Sequence, residues 1–155
     1  MTNNDVLRSV RNMLAINNAK IADICALDGL KIPKTEIENF MRSEEDQDYV
    51  SCPDGIMANF LDGMIFHLRG KDDSRPPMPK ELPISNNLII KKLRVAFQLK
   101  EDDILAMINS GMKFSKGELS AILRKKGHDN YRVCGDQVLR YFLKGLTERL
   151  KPDGE

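Results

Sequence analysis

The sequence predicts an all-α protein made of two tandem copies of one four-helix unit. The main observation is a repeated segment, because residues 131–145 reproduce residues 49–63 with Tyr, Cys, Asp, Phe, Leu and Gly at the same offsets. No stretch shows the alternation of apolar and polar side chains that marks a half-buried strand. Eight Met and no Trp also favour a helical interior, since flexible Met side chains fill irregular gaps between helices.

Four helices are predicted in the first copy from apolar residues at helical spacing. Asn17-Asn18 separates the first two, because Asn favours helix caps over helix interiors. Asp28-Gly29 is a typical helix end. Pro33 and Pro53 stand near the starts of the third and fourth helices, where a fixed φ suits the first turn. The predicted ranges are 3–16, 19–27, 33–43 and 53–68.

A proline-rich connector separates the copies. Residues 71–85 contain four of the seven prolines, and this density forbids a helix and favours an extended chain. The pattern restarts at Asn86-Asn87, which matches Asn3-Asn4. Ser115 and Glu118 form a capping box that starts a third helix in the second copy, where the first copy has Pro33. The predicted organisation is a helical repeat over 1–70, a linker over 71–85 and a helical repeat over 86–150.

Each copy is small for a stable domain. We therefore expect the two pseudo-symmetric four-helix repeats to pack into one compact eight-helix body, since each would gain by burying a face against the other.

Composition excludes several classes of protein. The N-terminus lacks the segments of a secretion signal, and no apolar run approaches the roughly 20 residues that cross a bilayer. Three Cys without paired spacing favour free thiols in a reducing cytoplasm over a disulfide framework. With two His and no Cys-x-x-Cys, we expect no metal site, and no motif indicates a cofactor.

Cys52 and Cys134 each precede a predicted helix start, where first-turn N–H groups and the helix dipole stabilise a thiolate. The competing interpretation is a buried structural residue. We favour it, because no resolving partner accompanies either Cys and nothing orients a base toward either thiol. His128 lies shortly before Cys134, but Asp46 stands at its place in the first copy, so a Cys–His pair would belong to one copy only.

Asp54 and Asp136 follow in the first helical turn, and Arg11 and Arg94 recur on the first helices of the two copies. The economical hypothesis is that each Arg pairs with the Asp of its own copy and ties the first helix to the fourth. The alternative is that both Arg face outward and bind a partner.

Two further residue types recur and are interpreted as structural. Tyr49 and Tyr131 precede the fourth helices, and we expect each to pack on the helix that it introduces. Gly63 and Gly145 lie mid-helix, where Gly costs about 1 kcal/mol relative to Ala. Their recurrence predicts a close helix approach, and we expect the fourth helices to meet each other, or the first helices, at these glycines.

Charge is divided unevenly between the copies. Residues 1–70 carry 7 Lys and Arg against 11 Asp and Glu, and residues 86–155 carry 14 against 9. We favour mutual attraction of the halves as the explanation, and the alternative is that the second copy contacts an anionic partner. No helix-turn-helix, Gly-rich phosphate loop or aromatic-interleaved basic stripe is present. The candidate binding residues are Arg11, Arg94, Lys91, Arg124 and Arg140.

Several motifs resemble a small bacterial family. They are residues 4–11, 69–74, 91–94 and 102–105 and, most specifically, Cys134-Gly135-Asp136-Gln137-Val138-Leu139-Arg140-Tyr141-Phe142-Leu143. The chain resembles the YehS-like proteins, which consist of two tandem copies of the domain of unknown function numbered 1456. The resemblance covers residues 3–148. It implies a bacterial cytoplasmic protein of about this length and supplies no catalytic residues.

These observations favour a non-enzymatic binding or adaptor module for a protein or nucleic-acid partner. The partner would be reached through the basic second copy or the groove between the copies, and self-association is one form of protein partnership. No membrane partner is expected. The alternative is a thiol-based redox or small-molecule-binding protein that uses the repeated Cys. An enzyme with a site between the repeats is a weaker alternative.

Overall fold

The chain forms two compact units, Met1–Ile84 and Ser85–Glu155. The computed structural model describes residues 1–74 and 79–151, and within them all regular structure is helical. This confirms the all-α prediction and the two four-helix repeats. The first unit contains α1 (Asn3–Leu14), α2 (Asn18–Leu27), α3 (Lys34–Met41) and α4 (Asp54–Arg69), and the second contains α5 (Asn86–Phe97), α6 (Glu101–Asn109), α7 (Lys116–Leu123) and α8 (Asp136–Leu150).

The first helix of each repeat begins and ends in the same way. The Thr2 hydroxyl accepts from the N–H of Asp5 at the start of α1, and the Ser85 hydroxyl accepts from the N–H of Leu88 at the start of α5. Both helices end in a left-handed residue, Ala15 with φ 52° and Gln98 with φ 54°. α1 therefore stops two residues before its predicted end, because the backbone reverses at Ala15 before Asn17 caps α2.

The third helices start differently and end alike. Ser115 and Glu118 form the predicted capping box at α7, and Pro33 precedes α3 without a side-chain cap. Arg42 and Arg124 end the two helices with extended backbones, at φ −69° and ψ 160° and at φ −68° and ψ 160°.

Each fourth helix packs mainly on the second helix of its own repeat, α4 on α2 and α8 on α6. A Cβ added to Gly63 would lie 2.1 Å from the carbonyl oxygen of Ile24, and one added to Gly145 would lie 2.8 Å from the Cα of Met107. The predicted close approach is confirmed at both glycines. The helix expected at the glycines, a fourth or a first helix, was wrong. The buried face of α2, which carries Ile24, packs on the glycine face of α4, and Met107 of α6 lies at Gly145.

The described part of the linker lies against the first unit. The Lys80 ammonium bonds to the carboxylates of Asp28 and Asp62, and the N–H of Ile84 donates to Asp54 Oδ2 at 3.0 Å. Burial lowers the pKa of Lys80, but the hydrogen bonds to the two carboxylates outweigh it, so the pKa of Lys80 lies above its ordinary value. Pro76 and Pro77, on which the linker prediction partly depends, lie outside the described residues.

The packing of the two repeats into one body stays a prediction from the sequence. Among the helices of residues 1–74 and 79–151, none has the length and apolar content that a membrane span requires.

Candidate functional site

A buried asparagine near the start of α1 connects three segments of the first repeat. Asn4 Oδ1 accepts from the N–H of Cys52 at 2.9 Å. Its amide nitrogen donates to the carbonyl oxygens of Phe40, at 2.9 Å, and Val50, at 2.8 Å. The side chain is 1% exposed, so these bonds satisfy backbone groups that would otherwise be buried without partners.

Asn87 makes the same three bonds in the second repeat. It accepts from the N–H of Cys134 at 2.9 Å, and donates to the carbonyl oxygens of Ile122, at 2.9 Å, and Arg132, at 2.7 Å. Asn4 and Asn87 together are called the asparagine locks. Sequence analysis used these residues only to align the copies. The signal that could have identified them is a polar residue that recurs on the apolar face of the first helix of each repeat.

The residue before each lock holds the repeated carboxylate. Asn3 donates to Asp54 Oδ1 at 2.8 Å and to the carbonyl of Cys52 at 3.0 Å. Asn86 donates to Asp136 Oδ1 at 2.8 Å and to the carbonyl of Cys134 at 2.9 Å. The first helix is thus tied to the start of the fourth by asparagine.

The predicted pairing of Arg11 with Asp54, and of Arg94 with Asp136, is therefore wrong. Arg11 donates to Asn18 Oδ1 at 2.9 Å. Arg94 donates to the carbonyl of Leu99 at 3.3 Å and lies 3.7 Å from Glu101. The reason is the distance along α1. Asn3 is the residue that contacts Asp54, and Arg11 lies eight residues further on, about 12 Å along the helix axis.

The thiols are buried and act as hydrogen-bond donors. Cys52 Sγ donates to the carbonyl of Pro53 at 3.6 Å, and Cys134 Sγ donates to that of Gly135 at 3.5 Å. Burial raises the pKa of Cys52 to about 12, with a smaller contribution from Cys25 and Asp54.

The remaining two thiols behave alike. Burial, with a smaller contribution from Asp136, raises the pKa of Cys134 to about 12. Burial and Asp28 raise that of Cys25 to about 11. A nucleophilic thiol needs the opposite shift, so the geometry does not provide the alternative, a thiolate stabilised at the helix starts. Both repeated Cys are buried, as favoured from the sequence.

Tyr49 and Tyr131 are half-buried, and their backbone N–H groups close a turn on Asp46 and His128. Their packing on the fourth helices stays a prediction.

Like Arg11 and Arg94, the candidate binding residues Lys91 and Arg140 have internal hydrogen bonds. Lys91 Nζ donates to the carbonyl of Arg124 at 2.8 Å and so caps the C-terminus of α7, as Arg8 does for α3 through the carbonyl of Arg42 at 2.6 Å. Arg140 is exposed and donates to Gln137 Oε1 at 3.2 Å.

The segments between the third and fourth helices share their backbone hydrogen bonds and differ in charge. We call residues 42–50 the acidic loop and residues 124–132 the basic loop. The acidic loop carries one Arg and four Asp or Glu, and the basic loop carries four Lys or Arg and one Asp. Both are anchored by one matching backbone bond, from the N–H of Val50 to the carbonyl of Asn39 and from the N–H of Arg132 to that of Ala121.

Three cations of the basic loop, Lys125, Lys126 and Arg132, are exposed. Their side chains form no hydrogen bond or ion pair with the described part of the chain. Val133, next in sequence, is 79% exposed, the highest value among the exposed large apolar residues of the described chain. The structure thus presents unpaired positive charge beside an apolar side chain.

Comparison with known proteins decides the family. The family model described as "Protein of unknown function (DUF1456)" matches the chain twice, over residues 3–70 and 86–151. The chain belongs to the DUF1456 family. It is also 44% identical over 150 residues to "Uncharacterized protein YehS" of Escherichia coli (strain K12), covering 96% of each chain. No solved structure matches.

Membership in the DUF1456 family confirms the resemblance seen in the sequence, and the double match agrees with the duplication. The family description assigns no activity, so functional inference depends on the geometry above. Across residues 1–74 and 79–151, no group of three or more His, Cys, Asp or Glu side chains is placed to hold a metal ion.

Proposed function

We propose that this DUF1456 protein is a non-enzymatic binding module of the cytoplasm whose second repeat contacts a nucleic acid through the basic loop. The observation that carries the proposal is the charge reversal between two loops with matching backbone hydrogen bonds. Three exposed cations of the second loop have no acceptor among the described residues of the second repeat.

Lys and Arg side chains with free donors are suited to phosphate groups. Each phosphate that they neutralise releases condensed counterions, which favours binding and makes affinity fall with salt. Three exposed cations in one loop indicate modest, sequence-independent binding, because phosphate contacts position a protein without reading bases.

The thiol-based alternative has less support, since all three Cys are buried and protonated at neutral pH. A protein partner has one specific observation in its favour, the exposed Val133 within a cationic surface. An acidic protein surface with an apolar pocket would fit that combination, and Val133→Ser would weaken such a complex most.

The test measures binding of a fluorescent single-stranded oligonucleotide to the full chain over a series of salt concentrations. We expect log affinity to fall with log salt with a slope of about −2, from three phosphate contacts at about −0.7 each. The variant Lys125→Ser/Lys126→Ser/Arg132→Ser should lose this binding.

A matched control removes three positive charges from the first repeat, as Lys20→Ser/Lys31→Ser/Lys34→Ser. It should retain the slope and most of the affinity. Binding that ignores salt, or that the two triple variants reduce equally, would contradict the basic loop as the contact surface. If Val133→Ser lost binding to an acidic protein and the wild-type chain bound no oligonucleotide, the protein partner would be favoured.

A further inference from the structure

Arg42 and Arg124 occupy matching positions, at the ends of α3 and α7, with nearly identical backbone angles. In the first repeat the guanidinium is neutralised internally. Arg42 Nε donates to Asn39 Oδ1 at 2.9 Å, and Arg42 Nη1 lies 3.5 Å from Asp46 Oδ2. The Arg42 side chain therefore has an amide acceptor and a carboxylate acceptor, both from its own repeat.

Both acceptors are replaced in the second repeat. Ala121 stands where the first repeat has Asn39, and His128 stands where it has Asp46. Arg124 Nε is consequently a buried donor that has no hydrogen-bond partner within the described residues. The Arg124 guanidinium makes one other side-chain contact with the described residues: its Nη1 lies 3.5 Å from His128 Nε2.

His128 preserves the turn of Asp46 but reverses its chemistry. The N–H of Asn130 donates to His128 Nδ1 at 3.0 Å, just as the N–H of Asp48 donates to Asp46 Oδ1 at 2.8 Å. A backbone N–H only donates, so Nδ1 is the acceptor and the proton of a neutral ring lies on Nε2. Guanidinium nitrogens also only donate. Two N–H groups thus face each other across 3.5 Å, where the first repeat has a donor and a carboxylate.

We propose that Arg124 Nη1 and His128 Nε2 form a seat for a phosphoryl oxyanion, whose oxygens accept from both groups. An oxyanion supplies the negative acceptor that Asp46 supplies in the first repeat. Lys125 and Lys126 follow Arg124 directly, and Lys91 Nζ lies at its carbonyl oxygen, so the surrounding charge is positive. Asp129, the acid of the basic loop, makes no ion pair with the described residues. The inference rests on the proposed function for the source of the phosphate, a nucleic-acid backbone.

The test titrates inorganic phosphate into the ¹⁵N-labelled full chain at constant ionic strength, with chloride as the balancing ion. The Nε resonance of Arg124 and the ring nitrogens of His128 report on the seat, and the Nε resonance of Arg42 is an internal control. We expect saturable shifts at Arg124 and His128, none at Arg42, and a ring proton on Nε2 before phosphate is added.

Ala121→Asn/His128→Asp copies the acceptors of the first repeat into the second. Asp at this position supports the same turn in the acidic loop, and His128→Asp alone serves if the double variant is unstable. Phosphate affinity should fall about tenfold or more, as expected for the loss of a charge-assisted contact. Unsaturable shifts, equal shifts at Arg42, or unchanged affinity in these variants would overturn the seat.

The two proposals fail separately. Oligonucleotide binding that needs Lys125 and Lys126 but is unchanged by Ala121→Asn/His128→Asp overturns the seat and leaves the proposed function standing. Saturable phosphate shifts without any oligonucleotide binding support the seat and overturn the nucleic-acid proposal.

Discussion

The acidic loop and the basic loop share their backbone hydrogen bonds and have opposite surface charge. In each, an asparagine lock holds a carbonyl near the end of the loop, and a side chain at position 46 or 128 closes a turn onto a residue two further on. The first loop satisfies its arginine internally, and the second leaves Arg124 facing another donor. The two repeats therefore agree in their buried contacts and differ at the exposed positions of these loops.

The largest effect is expected from breaking what the two loops share. Asn4→Ala or Asn87→Ala removes three hydrogen bonds and leaves buried backbone groups without partners, so each should lower the free energy of unfolding by about 3 to 5 kcal/mol. Chemical denaturation measures it. The half-buried neighbours serve as controls, and Asn3→Ala or Asn86→Ala should cost about 1 kcal/mol. Similar losses at all four positions would show that the locks have no special role.

The second test concerns the other shared contact, the glycines. Gly63→Ala would place a Cβ 2.1 Å from a backbone oxygen of α2, and the two helices must separate to admit it. We expect a loss of about 2 to 3 kcal/mol, and less for Gly145→Ala, where part of the obstruction is the flexible Met107 side chain. Gly55→Ala, with nothing within 4 Å, should be neutral or stabilising in a thermal melt. A tolerated Gly63→Ala would refute the close approach.

The thiols should give both repeats the same pH dependence. An unfolded Cys ionises near a pKa of about 8.5, whereas burial holds the pKa of Cys52 and Cys134 at about 12. The folded state thus keeps a proton that the unfolded state loses. The stabilisation is complete below about pH 8.5 and declines as pH rises toward 12.

Between about pH 8 and about pH 9.5 we expect each thiol to account for about 1 kcal/mol of lost stability. Cys52→Ala and Cys134→Ala should each flatten the measured slope by the same amount in denaturation experiments at several pH values. If either thiol instead made the free energy of unfolding rise over this pH range, that thiol would be ionised and accessible in the folded protein.

The smallest effect separates the two arginines. Asn39→Ala removes the acceptor of Arg42 Nε and should cost about 0.5 to 1 kcal/mol, and Ala121→Asn should gain about as much by giving Arg124 Nε a partner. Native-state hydrogen exchange assigns each change to its own repeat. If both substitutions moved stability in the same direction, the acceptor would not be what distinguishes the two loops.

Sequence patterns were sufficient for the helices because each is bounded by local chemistry. Apolar spacing located them, and Asn17 and the Ser115 capping box act within a few residues of the helix starts that they define. The end of α1 was missed by two residues, since nothing in the sequence marks Ala15 as left-handed.

The long-range polar contacts were not predictable in the same way. The acceptors of Asn4 are mostly backbone atoms, which have no residue-type signature. The predicted Arg11–Asp54 pair was wrong because recurrence of two residues in both copies does not show that their side chains are in contact. Charge counting found a basic second repeat, but its localisation to one loop, and the orphaned Arg124 Nε, required coordinates.

The reach of the asparagine locks also sets when the chain can fold during synthesis. Asn4 bonds backbone groups 36, 46 and 48 residues further on, so α1 is synthesised before its partners. The first repeat can close only after Cys52 has emerged, and the second only after Cys134. A nascent chain halted before either residue would expose an unpaired apolar stripe, the kind of surface that chaperones hold.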